Sequence, residues 1–163
     1  KVPLLVGGPG SGEFVPRARA LGMKLEFVSG EVGQASAIKM FRSIMIKGLE
    51  ALTLECMLAA SEYRVEDQVL ASLKETFPSL DWNRLSGYMI ERVVSHGHRR
   101  AAEMREVAAT VRGIGIEPLM AEATAARQQW LADLDVKTHL GGKKTEDRAE
   151  LITAIRAAMR AGA

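Results

Sequence analysis

The chain has 163 residues, 47% of them hydrophobic, and a formal net charge of +2, which is the composition of a folded domain rather than of a disordered segment. Its 22 Lys and Arg residues are spread among 20 acidic ones, without the basic stripe and interleaved aromatics of nucleic-acid-binding proteins. We therefore expect no nucleic-acid partner. Every long apolar stretch contains charged residues, so we also expect no membrane span.

The chain has a single cysteine, Cys56, which lies in an apolar run. No disulfide can form within the chain, and no Cys/His cluster has the spacing of a zinc site. We expect Cys56 to be a small core residue in a reduced, cytoplasmic protein that holds no metal.

Residues 1–30 have the pattern of a strand, a helix and a second strand. An apolar run at residues 2–6, followed by the sequence GGPGSG, predicts a buried strand and its turn. A short helix over residues 13–21 and a strand over residues 24–28 follow. A connection of this length suits a crossover between parallel strands in an α/β sheet.

The GGPGSG turn also resembles a phosphate-binding loop, but the residues that would complete such a loop are missing. The loop needs a following Lys for the phosphates and then Ser or Thr for magnesium. Glu13 and Phe14 hold those positions, and a carboxylate there would repel phosphate. We expect a plain strand-to-helix turn, and a nucleotide-binding enzyme that uses it is the weakest functional hypothesis.

Residues 33–63 contain no Pro and one interior Gly, Gly48. Their apolar residues fall on nearly every face, which predicts a helix of roughly 28 residues that runs through the middle of the domain.

The remaining sequence predicts a series of shorter helices separated by turn residues. The sequence GGKK at residues 141–144 predicts a flexible loop. The predicted fold class is mainly α: a multi-helix bundle around the long central helix, preceded by a strand–helix–strand remnant of an α/β domain. The helices are expected over residues 66–77, from an N-cap at Ser79 to residue 93, over 99–111, from Pro118 to residue 134, and from an N-cap at Thr145 to residue 161.

The long helix carries a narrow polar seam. Lys39, Ser43 and Lys47 are spaced four residues apart and share one face, which Glu50 extends. Because the neighbouring residues are apolar, we expect Lys39 to lose solvation, which favours the neutral form of a lysine, and a neutral lysine can act as a general base. A solvated stripe on an otherwise packed helix explains the same pattern at least as well.

A second polar cluster has the sequence HGHRR, followed by Glu103. Arg99 and Arg100 carry planar donors that suit a carboxylate or phosphate, and His96 and His98 could flank a site. A helix-capping segment and an ordinary Arg99–Glu103 ion pair explain these residues equally well. The two histidines have no carboxylate at ligand spacing, so we expect no metal here.

The sequence GEVGQASAIKMFRS at residues 30–43 resembles the β-hydroxyacid dehydrogenase and 6-phosphogluconate dehydrogenase superfamily. In that family, a glycine-rich turn leaves the dinucleotide-binding domain and enters a long interdomain helix, which carries an essential lysine with Asn four residues later. Lys39 matches the lysine, whereas Ser43 stands at the Asn position, a departure that would alter substrate contacts. The sequences HGHRRAAEM and GIEPLM resemble the subgroup described as a phosphogluconate dehydrogenase C-terminal domain.

The resemblance implies hydride transfer between NAD or NADP and a hydroxyacid-like substrate, with Lys39 taking the hydroxyl proton. The family packs its helical domains as intertwined dimers, which implies a homodimer. The resemblance further implies substrate binding by Ser43, Lys47, His96, Arg99, Arg100 and Glu103, and cofactor contacts from Gly33 and Gln34.

Cofactor binding in this family needs a strand–GxGxxG–helix unit, and the sequence contains none. Residues 1–30 resemble only the last strands of a dinucleotide-binding domain, and residues 31–163 a helical substrate-binding and dimerisation domain. We therefore interpret the chain as the C-terminal part of an oxidoreductase, inactive by itself. The rival hypothesis is a stand-alone helical dimerisation or ligand-binding module without chemistry. The substrate and the choice between NAD and NADP cannot be predicted from these residues.

Overall fold

The computed structural model describes residues 3–162, which form two parallel strands and seven helices. The predicted mainly α fold, with a strand–helix–strand segment before a helical bundle, is confirmed. By packing, the chain divides into one unit that ends at Ser43 and a second that begins at Ile44. Each unit has its own apolar core. The predicted functional boundary after residue 30 stays a prediction.

The first unit contains strand β1 (Leu4–Gly7), helix α1 (Ser11–Ala20) and strand β2 (Leu25–Ser29). The strands pair in parallel, as expected for a crossover connection. Val15 and Ala18 of α1 pack with β2 in a small core. The expected burial of the first strand was wrong: its residues are mostly exposed, because α1 covers one side of a sheet of only two described strands. Val2, part of the predicted strand, lies outside the described residues.

The GGPGSG segment forms the turn from β1 into α1. Gly10 has a φ of 78°, a left-handed conformation that glycine adopts without strain. The Ser11 hydroxyl lies 2.6 Å from the carbonyl oxygen of Gly8 and 3.1 Å from that of Ser29, and so ties the turn to the end of β2. Glu13 lies in the first turn of α1.

Helix α2 (Gln34–Tyr63) has 30 residues, close to the predicted length. The expectation that it is buried on nearly every face was wrong, since Met45 is 64% and Leu52 55% exposed. Cys56, expected in the core, is also exposed. A single stripe faces the core of the second unit, because its members recur at helical spacing: Lys47, Glu50, Ala51, Leu54, Met57, Ala60 and Ser61.

The second unit is completed by five helices, and α4 packs most extensively against α5. Its core includes Leu54, Met57, Leu70, Ile90, Leu131, Leu151 and Ile155. None of the helices within residues 3–162 combines the length and hydropathy needed to cross a bilayer. The five helices are α3 (Glu66–Thr76), α4 (Trp82–Gly113), α5 (Leu119–Asp133), α6 (Val136–His139) and α7 (Arg148–Ala161).

Helix α4 is continuous over 32 residues, so the prediction of two helices separated by HGHRR was wrong. Gly97 is where α4 touches α5, not where a helix ends. A Cβ atom at Gly97 would lie 2.8 Å from both the Cβ of Ala132 and the carbonyl oxygen of Gln128. The missing side chain therefore permits close packing, which outweighs the low helix propensity of glycine.

Two predicted helix caps were also wrong by two residues each. The N-cap of α4 is Asp81 rather than Ser79, with Asp81 Oδ1 accepting from the Arg84 N–H at 3.1 Å. The N-cap of α7 is Asp147 rather than Thr145, and Asp147 accepts the N–H of Glu150. Several side chains can cap a helix, and the backbone path decides which of them reaches the free N–H.

Candidate functional site

In the first unit, the turn into α2 contains the two residues expected to contact a cofactor. Gly33 has a φ of 96°, and no atom lies within 4 Å of the position of a Cβ there. Gln34 begins α2, and its Nε2 donates to Glu31 Oε2 at 2.6 Å. The turn is exposed, so both residues are accessible, and their contact with a cofactor stays a prediction.

Lys39 lies in the second turn of α2 and is exposed. The expected loss of solvation was therefore wrong for the chain as described: the neighbouring Ile38 and Phe41 are also exposed, by 46% and 39%. Within residues 3–162, no hydrogen bond or ion pair engages the Lys39 ammonium. The Ser43 hydroxyl donates to the Lys39 carbonyl oxygen at 3.0 Å, which leaves its lone pairs to accept. The catalytic role of Lys39 stays a prediction.

The second unit contains a buried polar cluster that joins three helices. Glu50 of α2 is 2% exposed and Arg100 of α4 is 6% exposed, and Arg100 Nη1 lies 2.8 Å from Glu50 Oε2. Gln128 of α5 is fully buried, and its Nε2 donates to the same oxygen at 3.3 Å. The cluster thus holds α2, α4 and α5 together through one carboxylate.

Burial shifts the pKa values of both charged residues in this cluster. It raises the pKa of Glu50 above its ordinary value of 4.5, although the Arg100 charge and the hydrogen bond from Gln128 oppose the rise. Burial likewise lowers the pKa of Arg100, against the opposing charge of Glu50. Removing either residue would therefore leave the other charge buried without a partner, which destabilises the fold. Arg100, predicted to bind an acid group of the substrate, has its guanidinium engaged by Glu50.

Three other predicted binding residues meet at the edge of this cluster. Lys47 Nζ lies 2.6 Å from Glu103 Oε2, and Arg99 pairs with the other oxygen of Glu103. Burial alone would raise the pKa of Glu103, but hydrogen bonds and charge from Lys47 and Arg99 outweigh it and lower that pKa. Arg99 is the accessible member, with 59% of its side chain exposed.

A cleft of about 300 Å³ lies beside α4 and α6 and is bordered by His96, His98 and Arg99. His98 Nδ1 lies 3.0 Å from Gln129 Nε2. Burial, followed by the charges of Arg92, Arg99 and Arg100, lowers the pKa of His96. A neutral His96 is therefore favoured at neutral pH, and it can accept or donate a hydrogen bond.

Sequence reasoning missed two residues of this region, Gln128 and Arg92. Gln128 interrupts the apolar stripe of α5 between Ala125 and Leu131, and a polar residue in such a stripe indicates a buried hydrogen bond. Arg92 lies four residues before His96, so the spacing places them on one face of a helix. The pattern did not indicate this shared face because one predicted helix ended at residue 93 and the next began at residue 99. Among residues 3–162, no three His, Cys, Asp or Glu side chains are arranged to hold a metal.

Comparison with known proteins places the chain among proteins of related fold. Residues 60–131 match the model of a domain of unknown function, DUF1932. An uncharacterized 28.5 kDa protein in 7S RNA 5'region, from Methanothermus fervidus, is 32% identical over 107 residues, which are 63% of this chain and 41% of that protein.

Two solved structures are similar to this chain. A conserved hypothetical protein from Sinorhizobium meliloti 1021 is 36% identical with a TM-score of 0.88, over 97% of this chain and 52% of that one. The conserved protein MTH1747, of unknown function, whose structure is similar to 3-hydroxyacid dehydrogenases, is 31% identical with a TM-score of 0.73, over 82% of this chain and 50% of that one.

The chain therefore spans about half the length of the relatives it matches. The resemblance to the hydroxyacid dehydrogenase superfamily is confirmed, since residues 60–131 match the DUF1932 model and the chain is similar in fold to MTH1747, whose own structure is similar to 3-hydroxyacid dehydrogenases.

Proposed function

We propose that this chain is the helical, substrate-side part of an NAD- or NADP-dependent oxidoreductase that acts on a hydroxyacid-like substrate, with Lys39 as general acid and base. The observation that carries the proposal is the similarity in fold and sequence to MTH1747, whose structure is similar to 3-hydroxyacid dehydrogenases. The lysine at the second turn of a long helix, after a glycine-rich turn, is the residue that the resemblance singles out.

The chemistry requires a group that accepts a proton while the substrate is oxidised. A bound nicotinamide would supply the acceptor for the hydride that leaves the hydroxyl-bearing carbon of the substrate. Lys39 would take the hydroxyl proton as the oxygen forms the carbonyl bond, and it can do so only after its ammonium has given a proton to solvent. In the reverse direction, the Lys39 ammonium returns the proton. The exposed side chain of Lys39 leaves its nitrogen free to reach a substrate oxygen.

The residues present fit only part of a dinucleotide. The positive φ and open surroundings of Gly33 allow a ligand to approach its backbone closely, and the Gln34 amide can donate or accept a hydrogen bond. The neighbouring carboxylate of Glu31 would repel a diphosphate. We therefore assign Gly33 and Gln34 to an uncharged portion of the cofactor, and its diphosphate to residues of a GxGxxG turn, which this sequence does not contain.

The deciding experiment uses the product of the complete reading frame, assayed with NAD and NADP against a panel of hydroxyacids. Lys39→Ala is expected to lower kcat by about 10²–10⁴-fold, the usual contribution of a general base. Lys24→Ala is the matched control, because Lys24 is also exposed in the first unit but lies before β2. Unchanged turnover in Lys39→Ala, or equal losses in both variants, would refute the assigned role.

We also propose that the chain forms a homodimer through α2. Its exposed apolar side chains in the second unit include Met45 and Leu52, which lie seven residues apart and so share one face of the helix, and exposed apolar side chains of this kind are typical of interaction surfaces. The Met45→Glu variant is expected to lower the mass found by light scattering to that of a monomer, whereas Leu21→Glu, at an exposed position outside α2, is expected to leave it unchanged. A monomeric wild-type protein would refute the proposal.

The rival function, a helical dimerisation or ligand-binding module without chemistry, predicts a different result. The exposed apolar row of α2 favours it as much as it favours a dimeric enzyme. If the product of the complete reading frame is a dimer that neither binds NAD or NADP nor oxidises any hydroxyacid, the hypothesis of a dimerisation or ligand-binding module is correct.

A further inference from the structure

A second cleft in the second unit, which we call the α3–α4 cleft, lies between α3 and the start of α4. Its volume is about 740 Å³, within the range of sites that hold small organic molecules. The cleft is remote from Glu103, since Trp82 and Glu103 lie on one continuous helix and are about 30 Å apart along its axis. The apolar wall of the cleft consists of Leu70, Ala71, Pro78, Leu80 and Trp82.

The apolar wall presents aromatic and aliphatic carbon to the cleft. Phe77 packs beside Trp82, with ring centroids 6.1 Å apart and ring planes inclined by 57°. The Nε1 atom of Trp82 is buried, so only carbon atoms of that ring can be accessible from the cleft. Phe77 is 51% and Leu80 40% exposed. An apolar molecule that covered these side chains would remove them from water, which is favourable, and a ring could pack against the indole.

Two carboxylates also line the cleft, and groups of the protein offset the charge of each. Asp67 Oδ1 lies 2.6 Å from Nη2 of Arg148. Asp81 Oδ1 accepts a hydrogen bond from the backbone N–H of Arg84 at 3.1 Å. Asp81 caps the N-terminus of α4, where the helix dipole favours a negative charge. Neither carboxylate therefore needs a cation from a ligand.

The polar groups of the cleft that remain free are donors. Lys74 lines the cleft and is exposed, and within residues 3–162 its ammonium makes neither an ion pair nor a hydrogen bond. Asn83 Oδ1 accepts from Arg148 at 3.4 Å, which leaves the amide nitrogen of Asn83 to donate. A ligand that completes these contacts must offer acceptors, and a negative charge would suit the ammonium of Lys74.

We propose that the α3–α4 cleft binds a small carboxylic acid with an apolar, ring-sized body. The body lies against Leu80 and Trp82, and the carboxylate lies at Lys74. Ala71 and Lys74 are three residues apart on α3 and so share one face of the helix, which puts the charge beside the apolar wall. The cleft contains none of the residues assigned to the substrate or the cofactor, so binding there does not depend on the proposed function.

The test follows tryptophan fluorescence in a Trp130→Phe variant, in which Trp82 is the sole tryptophan. The probes are phenylacetate, phenylacetamide, which has the same shape without the charge, and acetate, which has the charge without the ring. We expect saturable binding of phenylacetate and binding of phenylacetamide that is weaker by about two- to fivefold, the usual effect of an exposed ion pair. Acetate should not saturate over the same concentrations. Calorimetry with the unaltered chain measures the same affinities without a substitution at Trp130.

Two variants locate the ligand within the cleft. Lys74→Gln should bind phenylacetate no more tightly than phenylacetamide, whereas Lys143→Gln, which changes an exposed lysine that pairs with Glu150 outside the cleft, should keep the difference. Ala71→Leu fills the cleft with a residue that suits a helix nearly as well as alanine, and it should abolish saturable binding of both aromatic probes. Gln68→Leu, at an exposed position of α3 outside the cleft, should leave it unchanged. Circular dichroism checks that each variant is folded.

The proposal is overturned if phenylacetate does not saturate, if phenylacetate and phenylacetamide bind the unaltered chain equally, or if folded Ala71→Leu binds as well as the unaltered chain. Trp82 fluorescence that changes with protein concentration, without any probe, would show that a second copy covers the cleft and would also overturn it. Because these measurements need neither NAD nor NADP nor turnover, their outcome is separate from that of the Lys39 assay.

Discussion

Gly97 provides a sharp test of how α4 and α5 pack. A methyl group at this position would lie 2.8 Å from the Cβ of Ala132 and from the carbonyl oxygen of Gln128, about 1 Å closer than relaxed contacts between such atoms. The Gln128 oxygen belongs to the backbone, so no side-chain rotation can relieve that contact. We therefore expect Gly97→Ala to force α4 and α5 apart.

The expected loss of stability in Gly97→Ala follows from two opposing effects. Alanine stabilises a helix interior by about 1 kcal/mol relative to glycine, and overpacking a tight contact costs about 1–3 kcal/mol. Because the contact involves backbone, the upper end applies, and the free energy of unfolding should fall by about 2 kcal/mol. For a chain of this size, that corresponds to a Tm lower by about 4–8 °C.

Gly113→Ala is the matched control. Gly113 is the last residue of α4, and no atom lies within 4 Å of a Cβ there, so propensity alone acts, and stability should stay the same or rise by up to about 1 kcal/mol. Urea unfolding followed by far-UV circular dichroism measures both variants. If Gly97→Ala stabilises the protein as much as Gly113→Ala does, the close approach of α4 and α5 is refuted.

Two further predictions concern the buried ion pairs. Replacing Arg100 with Met leaves the Glu50 carboxylate buried without its counter-charge and should lower the free energy of unfolding by about 3–5 kcal/mol. Replacing both Arg100 and Glu50 with Met should restore most of the lost stability. A double variant as unstable as the single one would contradict this reasoning. The second prediction concerns Glu103, whose pKa is lowered in the folded state. Its contribution to stability is therefore fully present above the pKa of the unfolded chain, near 4.5, and is lost as the pH falls through the pKa of the folded state. Lys47→Met should therefore reduce the acid-side loss of stability in urea titrations at several pH values, and an unaltered pH profile would argue against the Lys47–Glu103 contact.

Local patterns were enough to locate most secondary structure. The absence of proline and the density of helix formers placed α2 within a residue of its observed bounds, and the glycine-rich turn separated β1 from α1. The family resemblance at residues 30–43 also came from local sequence, because a glycine turn followed by a lysine at fixed spacing is a short motif. These features depend on neighbours within a few residues, so they can be read from the chain directly.

The errors arose where distant residues set the outcome. Gly97 has the residue type of a helix break, but in the structure α5 occupies the space that a side chain at this position would fill. The helix α2, apolar on nearly every face, is buried on one stripe only, and Lys39 is consequently exposed. Periodicity predicts which residues could be buried, but it cannot tell which of them meet another helix.

The polar residues of α4 illustrate the same division. Residue types and spacing identified Arg99, Arg100 and Glu103 as a charged cluster, and chemistry suggested an anion. Which arginine faces Glu50 in the core and which remains accessible depends on where α2 and α5 cross α4. Sequence therefore determines the chemical groups that a helix offers, whereas packing between helices determines which of those groups are paired within the fold and which remain accessible to solvent.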